Sequence, residues 1–535
     1  MKGLVVTDHS LSSLAGQKIL EKGGNAADAA VAASAALAVI DPYMAGLGGF
    51  GYLLFYNASE DLVAGLDYIG VAPMKASIDF FTREKPWEDF KPSAEGILAA
   101  LVPGIISGWI ELIEQLGTMK LRDILQPAIA LADGYEVPTR LHQFYESIRS
   151  IAGAIPENAT IFYQGGHYPS PGQNFSQPAL KKTLKTLAEK GGRDFYEGSI
   201  AKKMVAIIKS KGGIIELEDL ARYKPVLTKP IRGNFEGYEI FAHPPGSSGL
   251  TVLQWLNMLE GLNLDGRYTD VESMHYFLEA GKLALRDDDK WNSGKDYAKI
   301  PISRLISKRH GLDQRAKIDP RRAKFYQLVS RARKYGKLTK HHCTCDESGN
   351  IVSATETQMY GFDRVGVFPQ LGFNINGGMC YFSMDPNNIE CIEPGKRPRY
   401  VMSPTIAFKD GIALTVGAAG GWTIPQTITQ TLLKIMHFGL GIQEAVTSPR
   451  FVLRFRYNSI PYADGTVVDL ETGIPNVRAN QLRELGHKVS FPSPIRDFRP
   501  GWGYGYGAVN SLMWSKKLMS GGAESRRDGY VAKAD

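Results

Sequence analysis

Apolar and polar positions along the chain change rhythm several times. Residues 23–43, GGNAADAAVAASAALAVIDPY, are rich in alanine and predict a buried helix that Pro42 stops. The next stretch, AGLGGFGYLLFY, predicts a glycine turn leading into a buried strand. Residues 100–140 and 180–223 repeat apolar positions at helical spacing, as in VPGIISGWIELIEQLG and LRDILQPAIALADGY. A strand-like piece, RGNFEGYEIFAHPPG, follows, and the serines of HPPGSSGLTVLQWLNMLEG open another helix. Residues 286–337 are the least regular, with RDDDKW and the basic run RARKYGK, and read as an exposed linker.

After Gly336 the texture changes. LTKHHCTC and IVSATETQ are short β-rich runs on either side of DESGN, and YVMSPTIAF and IALTVGAAGG flank a turn at KDG. One clear helix follows, TIPQTITQTLLKIMHFGLG, before a glycine-rich tail. Helices, then strands, then helices predict a layered α/β sandwich.

Composition narrows the classes. The 535 residues are 44% hydrophobic and 22% charged, ordinary for a globular protein with a large core. A net charge of +7 is no nucleic-acid signature at this length. No apolar run reaches the length of a membrane span, and the N-terminus is too short in apolar residues for a signal peptide. Cys343, Cys345, Cys380 and Cys391 are too few for a disulfide scaffold and read as reduced thiols of a cytoplasmic protein.

Several residues carry candidate chemistry. With DESGN as a turn centred on Ser348, Cys345 faces Ile351, Cys343 faces Ser353, His341 faces Thr355 and Thr339 faces Thr357. Two threonine hydroxyls then lie side by side at the open end of a hairpin, although Thr–Thr pairs are also common in ordinary sheets. HHCTC has the residue types of a soft-metal site but not the spacing, so its cysteines are better read as small buried hydrophobes. Asp287, Asp288 and Asp289 read as a solvated acidic face rather than a cation site. Gly46, Gly48 and Gly51 fit G-x-G-x-x-G, but with the helix before and the strand after, which excludes a dinucleotide loop. VGAAGG joins a strand to a helix, where backbone N–H groups can meet an oxyanion.

At these motifs the chain resembles the γ-glutamyltranspeptidase family. The matching stretches are EKGGNAADAAVAA, DPYMAGLGGFGY, LVPG, DFYEGSIAKK, GGIIELEDLARY, HPPGSSGLTVLQWLNMLEG, IDPRRA, CDESGNIVSATET, PGKRPRYVMSPTI, VGAAGG and GGAESRRDG, in the family's order. The resemblance implies an N-terminal-nucleophile hydrolase fold, a four-layer αββα sandwich. It implies a precursor that cuts itself between Leu338 and Thr339, giving segments 1–338 and 339–535 of one αββα unit. The family motif, a threonine followed by T-H and further on by V-V-D, lies on Thr339 without gaps, with His341 and Asp346 matching. The resemblance makes Thr339 the nucleophile and, through its freed α-amine, the base. It makes Thr357 the assisting threonine and Gly420 and Gly421 the oxyanion donors. Such an enzyme needs no cofactor or metal.

The departures from the family bear on substrate. The second threonine of the motif is Lys340, a cation next to the nucleophile. The family's γ-glutamyl contacts fall on Ile69, Met359, Gly378, Tyr381, Tyr400 and Val401, and none is retained. Arg364, Arg399 and Tyr400 are the remaining candidates for holding an anionic substrate. The expected activity is hydrolysis of a small amide or peptide-like substrate, with acyl transfer to amines as an extension. The expected partners are the two chains of the cut precursor; a homo-oligomer is compatible with the sequence, and neither nucleic acid nor membrane is expected. Two other readings stay open: a genuine glutathione hydrolase or γ-glutamyltransferase with a rebuilt pocket, and an unprocessed non-catalytic homologue, to which Lys340 lends weight.

Overall fold

The fold was taken from a computed structural model that describes residues 1–84, 96–293, 300–326, 338–454, 466–491 and 505–535. The elements that build the site are β1 (Gly3–Thr7), α1 (Ser10–Glu21), α2 (Ala26–Ile40), β2 (Phe50–Asn57), β3 (Leu62–Tyr68), α3 (Ile105–Leu116), β4 (Val226–Thr228), β5 (Ile231–Phe235) and β6 (Tyr238–Ala242). They continue with α4 (Gly249–Leu259), α5 (Val271–Trp291), β7 (Lys340–Asp346), β8 (Ile351–Thr357), β9 (Thr405–Lys409), β10 (Ile412–Ala419), α6 (Thr423–Met436), β11 (Ala508–Trp514), β12 (Met519–Gly522) and β13 (Tyr530–Ala534).

Two large sheets face one another. One runs β13-β1-β7-β8-β2-β3-β4 and the other β12-β11-β10-β9-β6-β5. Helices α1, α2 and α3 cover the first, and α4 and α6 the second, which is the four-layer αββα sandwich. Each sheet contains strands from both sides of the Leu338–Thr339 bond.

The local reasons lie in the sequence. Helix α2 starts at Asn25, which forms a reciprocal capping box with Asp28, and ends at Ile40, with Asp41 as its cap ahead of Pro42. Its small side chains let it lie close on the first sheet, with every residue buried. Between the sheets the core is narrow: Leu4, Val6, Leu54, Cys343, Cys345, Ile351, Ile406, Ala413 and Leu512. Cys343 and Cys345 are buried free thiols in that layer, as small hydrophobes.

The region 286–337 departs from the expected linker. Where described, it is the end of α5 followed by short helices at Ile302–Leu305 and Lys308–Arg315; the basic run 331–337 lies outside the described residues. The acidic run is not a solvated face either. Asp287 and Asp288 are buried on α5. Asp287 accepts from Gln254, Gln314 and His310, and Asp288 from Thr251 and Asn292. Burial of an acidic run is tolerated because donors from α4 and from residue Asn292 occupy its oxygens.

Candidate active site

The hairpin has the expected register. Cys345 pairs with Ile351, Cys343 with Ser353 and His341 with Thr355, with no bulge. Glu356 opposes Lys340, so the next pair outward is Thr357 and Thr339, just beyond the end of β7. Both threonines are buried. The Thr357 hydroxyl donates to the carbonyl oxygen of Leu338 and accepts from the backbone N–H of Met359 at 3.1 Å. Met359 holds a φ of +54°, a left-handed conformation that costs a methionine energy and persists only where its surroundings fix it.

The second sheet brings the glycines to the same end. Cys343 hydrogen-bonds Thr415, and the His341 ring lies against Gly417, where any Cβ would collide with it. Two steps back on β7 match two steps forward on β10. Continued at the same spacing, the line of Cys343 with Thr415 and His341 with Gly417 runs to Thr339 and Ala419, and Ala419 leads into Gly420 and Gly421 ahead of α6. Both glycines have positive φ, +131° and +62°, and Gly420 O accepts from the Thr423 hydroxyl at 2.9 Å. That turn leads into the N-terminus of α6, where main-chain N–H groups are suited to an oxyanion.

Three side chains that the sequence did not single out fix the strand. Arg527 Nη1 donates to Thr339 O at 2.7 Å and to Asp8 at 2.5 Å. Asn510 donates to His341 O at 2.8 Å and to Asp8 at 2.7 Å. Burial pushes the Asp8 carboxyl up, while Arg527, Asn510 and Lys340 pull it back. The available signal was a polar residue inside the apolar strand AVNSLMW and the paired arginines of GGAESRRDG.

Lys340 does not point at the nucleophile position. Successive strand residues face opposite sides, and Lys340 enters the α2 side, where its ammonium donates to Leu37 O at 3.0 Å and lies 3.5 Å from Asp41. Its cation is spent there, which removes the main weight behind a non-catalytic homologue.

The neighbouring titratable groups are poor bases or nucleophiles at neutral pH. Burial lowers His9 and His342 to about 3 and takes His341 well below its usual range. Burial raises the Cys343 thiol to about 12 and lifts Cys345 too. HHCTC also splits across the strand: His341 faces the second sheet, with Nδ1 2.9 Å from Thr355 Oγ1, and His342 faces the helices. Among the described residues the group with metal-ligand proximity is His275, Glu279 and His487, elsewhere in the fold. There Lys282 already donates to Glu279 at 2.5 Å.

The substrate candidates separate. Arg364 is exposed, its guanidinium 4.9 Å from the centre of the Tyr360 ring. Arg399 is buried and turned toward α5, donating to Asp288 O at 3.0 Å and Asn292 O at 3.2 Å. Tyr400 points the other way: its hydroxyl donates to Gly378 O at 2.8 Å, and its ring lies 4.0 Å from Tyr381 and 4.6 Å from Phe50. Ile69, Met359, Tyr381, Tyr400 and Val401 all belong to one buried apolar cluster. At Gly378 a side chain would meet Leu101, Tyr400 and Phe50, so the ring cluster itself requires glycine.

The γ-glutamyltranspeptidase family model matches residues 12–534. The chain belongs to this family. An acylase proenzyme of Pseudomonas sp. (strain SE83) is 33% identical over 540 residues, covering 99% of this chain and 93% of that protein. The glutathione hydrolase proenzyme of Escherichia coli K12 is 34% identical over 472 residues, covering 84% and 80%. Among solved structures, a cephalosporin acylase from Bacillus halodurans superposes with a TM-score of 0.88 at 28% identity, covering 99% of this chain and 95% of that one. The family members it resembles are thus hydrolases named as acylases and glutathione hydrolases, and the fold is the N-terminal-nucleophile hydrolase sandwich.

Proposed function

We propose that the protein is an acylase-type amide hydrolase that cuts its own chain between Leu338 and Thr339 and then uses the freed Thr339 as nucleophile. The observation that carries this reading is the Leu338–Thr339 peptide itself. It lies at the mouth of the hairpin with the Thr357 hydroxyl on the Leu338 oxygen and Arg527 on the Thr339 oxygen. A hydroxyl donating to the oxygen of a peptide polarises its carbonyl carbon toward attack.

In self-cleavage the Thr339 oxygen bonds to the Leu338 carbonyl carbon, the Leu338–Thr339 C–N bond breaks, and the hydroxyl proton ends on the departing nitrogen. Water then opens the ester, leaving a carboxylate on Leu338 and a free hydroxyl and α-amine on Thr339. In turnover that amine, with a reference pKa of about 7.7–8.0, takes the hydroxyl proton as the oxygen attacks an external amide. The same proton passes to the leaving amine, and water hydrolyses the acyl-threonine ester. The neutral, buried histidines nearby leave this role to the amine. Gly420 and Gly421 are the proposed oxyanion donors, and the strands that both segments contribute to each sheet hold the two pieces together after the cut.

The acyl group is proposed to be apolar or aromatic rather than γ-glutamyl. A γ-glutamyl group brings an ammonium and a carboxylate, and each needs a partner when desolvated. The positions that hold them in the family are Ile69, Met359, Gly378, Tyr381, Tyr400 and Val401, and all but Gly378 belong to an apolar cluster. Intact mass and N-terminal sequencing of purified protein test the first step: a chain beginning at Thr339 is expected. A panel of γ-glutamyl, aliphatic and aromatic acyl anilides then tests the acyl preference. An uncut, inactive wild type overturns the nucleophile assignment, and efficient γ-glutamyl release overturns the acyl assignment.

A further inference from the structure

Behind the two threonines, on the helix side of the first sheet, lies a buried polar row. Tyr68, Gly51, Glu356 and Lys340 are consecutive partners across β3, β2, β8 and β7. Lys340 directly follows Thr339 and Glu356 directly precedes Thr357, so this pair is the first cross-strand rung below the threonine pair. Gly51, the last glycine of the G-x-G-x-x-G stretch, has a reason here. A Cβ there would meet the Tyr68 ring, which crosses the glycine to put its hydroxyl 3.2 Å from Glu356 Oε1. On α2, Ser34 donates to Glu356 Oε2 at 2.5 Å and accepts from Trp109 Nε1 on α3 at 3.0 Å. A small cavity bounded by Ser34, Tyr68, Trp109, His342 and Glu356 adjoins them, and His342 Nδ1 has no protein partner. Such a site suits one bridging water.

We infer that Glu356, ionised opposite Lys340, is a positioning residue that holds the threonine end of the hairpin in its reactive geometry, and that self-cleavage therefore switches off as Glu356 takes up a proton. This rests on the reading of Thr339 as nucleophile. Lys340 is fully buried and needs compensating charge. Asp41, 3.5 Å from the ammonium, and Asp8 contribute to it, and Glu356 faces Lys340 as its cross-strand partner and feels its charge. When Glu356 is neutral, the attraction across the rung is lost while Asp41 and Asp8 still pull on the ammonium, and the strand segment that carries Thr339 shifts with it. Thr357 sits one residue from the other end of the same rung. A misplacement of about 1 Å in a reacting group costs about 10²-fold in rate.

The groups facing this pair are few. On β7 they are Lys340 and His342; on β3, Tyr68; on α2, the uncharged Ser34; on α3, Trp109, whose neighbour Glu111 pairs with Gln115 at the surface. Lys340 also feels Asp41, Asp8 and Arg527. Burial raises Glu356 to about 7, against hydrogen bonds from Ser34 and Tyr68 and the charge of Lys340. His342 and His9 titrate far below this, near 3. The precursor has no free amine at Thr339, so its cleavage isolates Glu356 from the α-amine that complicates turnover.

The experiment follows the cutting of freshly purified precursor on denaturing gels from pH 5.5 to 8.5, for wild type, Glu356→Gln and Tyr68→Phe. Circular dichroism at each pH checks that the fold is kept. The wild-type rate is expected to fall about tenfold per pH unit well below a midpoint near 7, as for one proton. Glu356→Gln is expected to cut about 10²-fold more slowly than wild type at pH 8, with no step near 7. Tyr68→Phe removes a donor to the carboxylate and is expected to move the midpoint upward while keeping the plateau rate. A wild type that cuts with a flat profile, a glutamine variant that keeps the step, or a Tyr68→Phe midpoint that stays put overturns the inference while leaving Thr339 as nucleophile. A wild type uncut at every pH instead refutes the nucleophile reading and the inference with it.

Discussion

Replacing Thr357 by valine removes one hydroxyl and keeps the β-branched shape that a strand favours. In the uncut chain that hydroxyl does two things: it donates to the Leu338 oxygen and accepts from the Met359 N–H at 3.1 Å. Losing a donor placed on a developing oxyanion costs about 10²–10³-fold in rate, roughly 2.7–4 kcal/mol. Leaving the buried Met359 N–H without its acceptor costs a further 1–3 kcal/mol or so of stability. That second loss falls on a residue already held at a φ of +54°. The variant is therefore expected to fold with reduced stability and to cut itself two to three orders of magnitude more slowly. The assay is the rate at which 535-residue precursor converts to pieces of 338 and 197 residues, scored by gel densitometry. Thr357→Ser restores both hydrogen bonds and is expected to recover most of the rate. A valine variant that cuts within about threefold of wild type would refute the role given to this hydroxyl, since the loss of one oxyanion donor is far larger than that.

Thr339→Ala is expected to stay one chain under all conditions, and appearance of a new N-terminus at residue 339 in that variant would place the cutting chemistry elsewhere. Fully cut enzyme is expected to turn over γ-glutamyl anilides at least about 10²-fold less efficiently than its best apolar acyl anilide, because each missing hydrogen bond to a charged group is worth about 1.5–3 kcal/mol; steady-state kcat/KM across the panel checks this. Glu356 also has a stability signature. Its folded pKa is raised from 4.5 to about 7, so the folded state binds the proton more tightly and stability falls as pH rises through that window, by about 3 kcal/mol in all. In the uncut Thr339→Ala background, denaturant unfolding should show this fall, and adding Glu356→Gln should flatten it; parallel curves for the two proteins would contradict the assignment.

How much of this was legible depends on what each element required. The hairpin register followed from period-two alternation around a tight turn, and nothing in the tertiary structure had reason to shift it: Cys343, Cys345 and Ile351 are buried between the sheets, and a one-residue slip would turn them outward. Helix α2 was equally legible, since Asn25 and Pro42 mark both ends. The acidic run on α5 was not, because local composition cannot reveal donors that arrive from α4 and from the residues around His310. Lys340 was opaque for a related reason. Adjacency to Thr339 along the chain implied adjacency in the site, yet strand geometry puts the two side chains on opposite faces, and Asp41, which faces the ammonium, comes from the far end of another helix.

The glycine stretch makes the same point from the opposite direction. Its wrong order of elements excluded a nucleotide loop, but the reason for the glycines is tertiary. Gly49 lies against the Thr357 carbonyl, Gly48 against the Asn374 carbonyl, and Gly51 under the Tyr68 ring. Each position is small because another chain segment occupies the space of its Cβ, and two of the three press on β8 or its row at the threonine end. A motif that mimics a phosphate cradle in sequence thus serves to bring β2 close enough to β8 for Tyr68 to reach Glu356. The residues that do chemistry were visible as a pattern of types along two strands; the residues that position them became visible only once three further elements were packed against the other side of the same sheet.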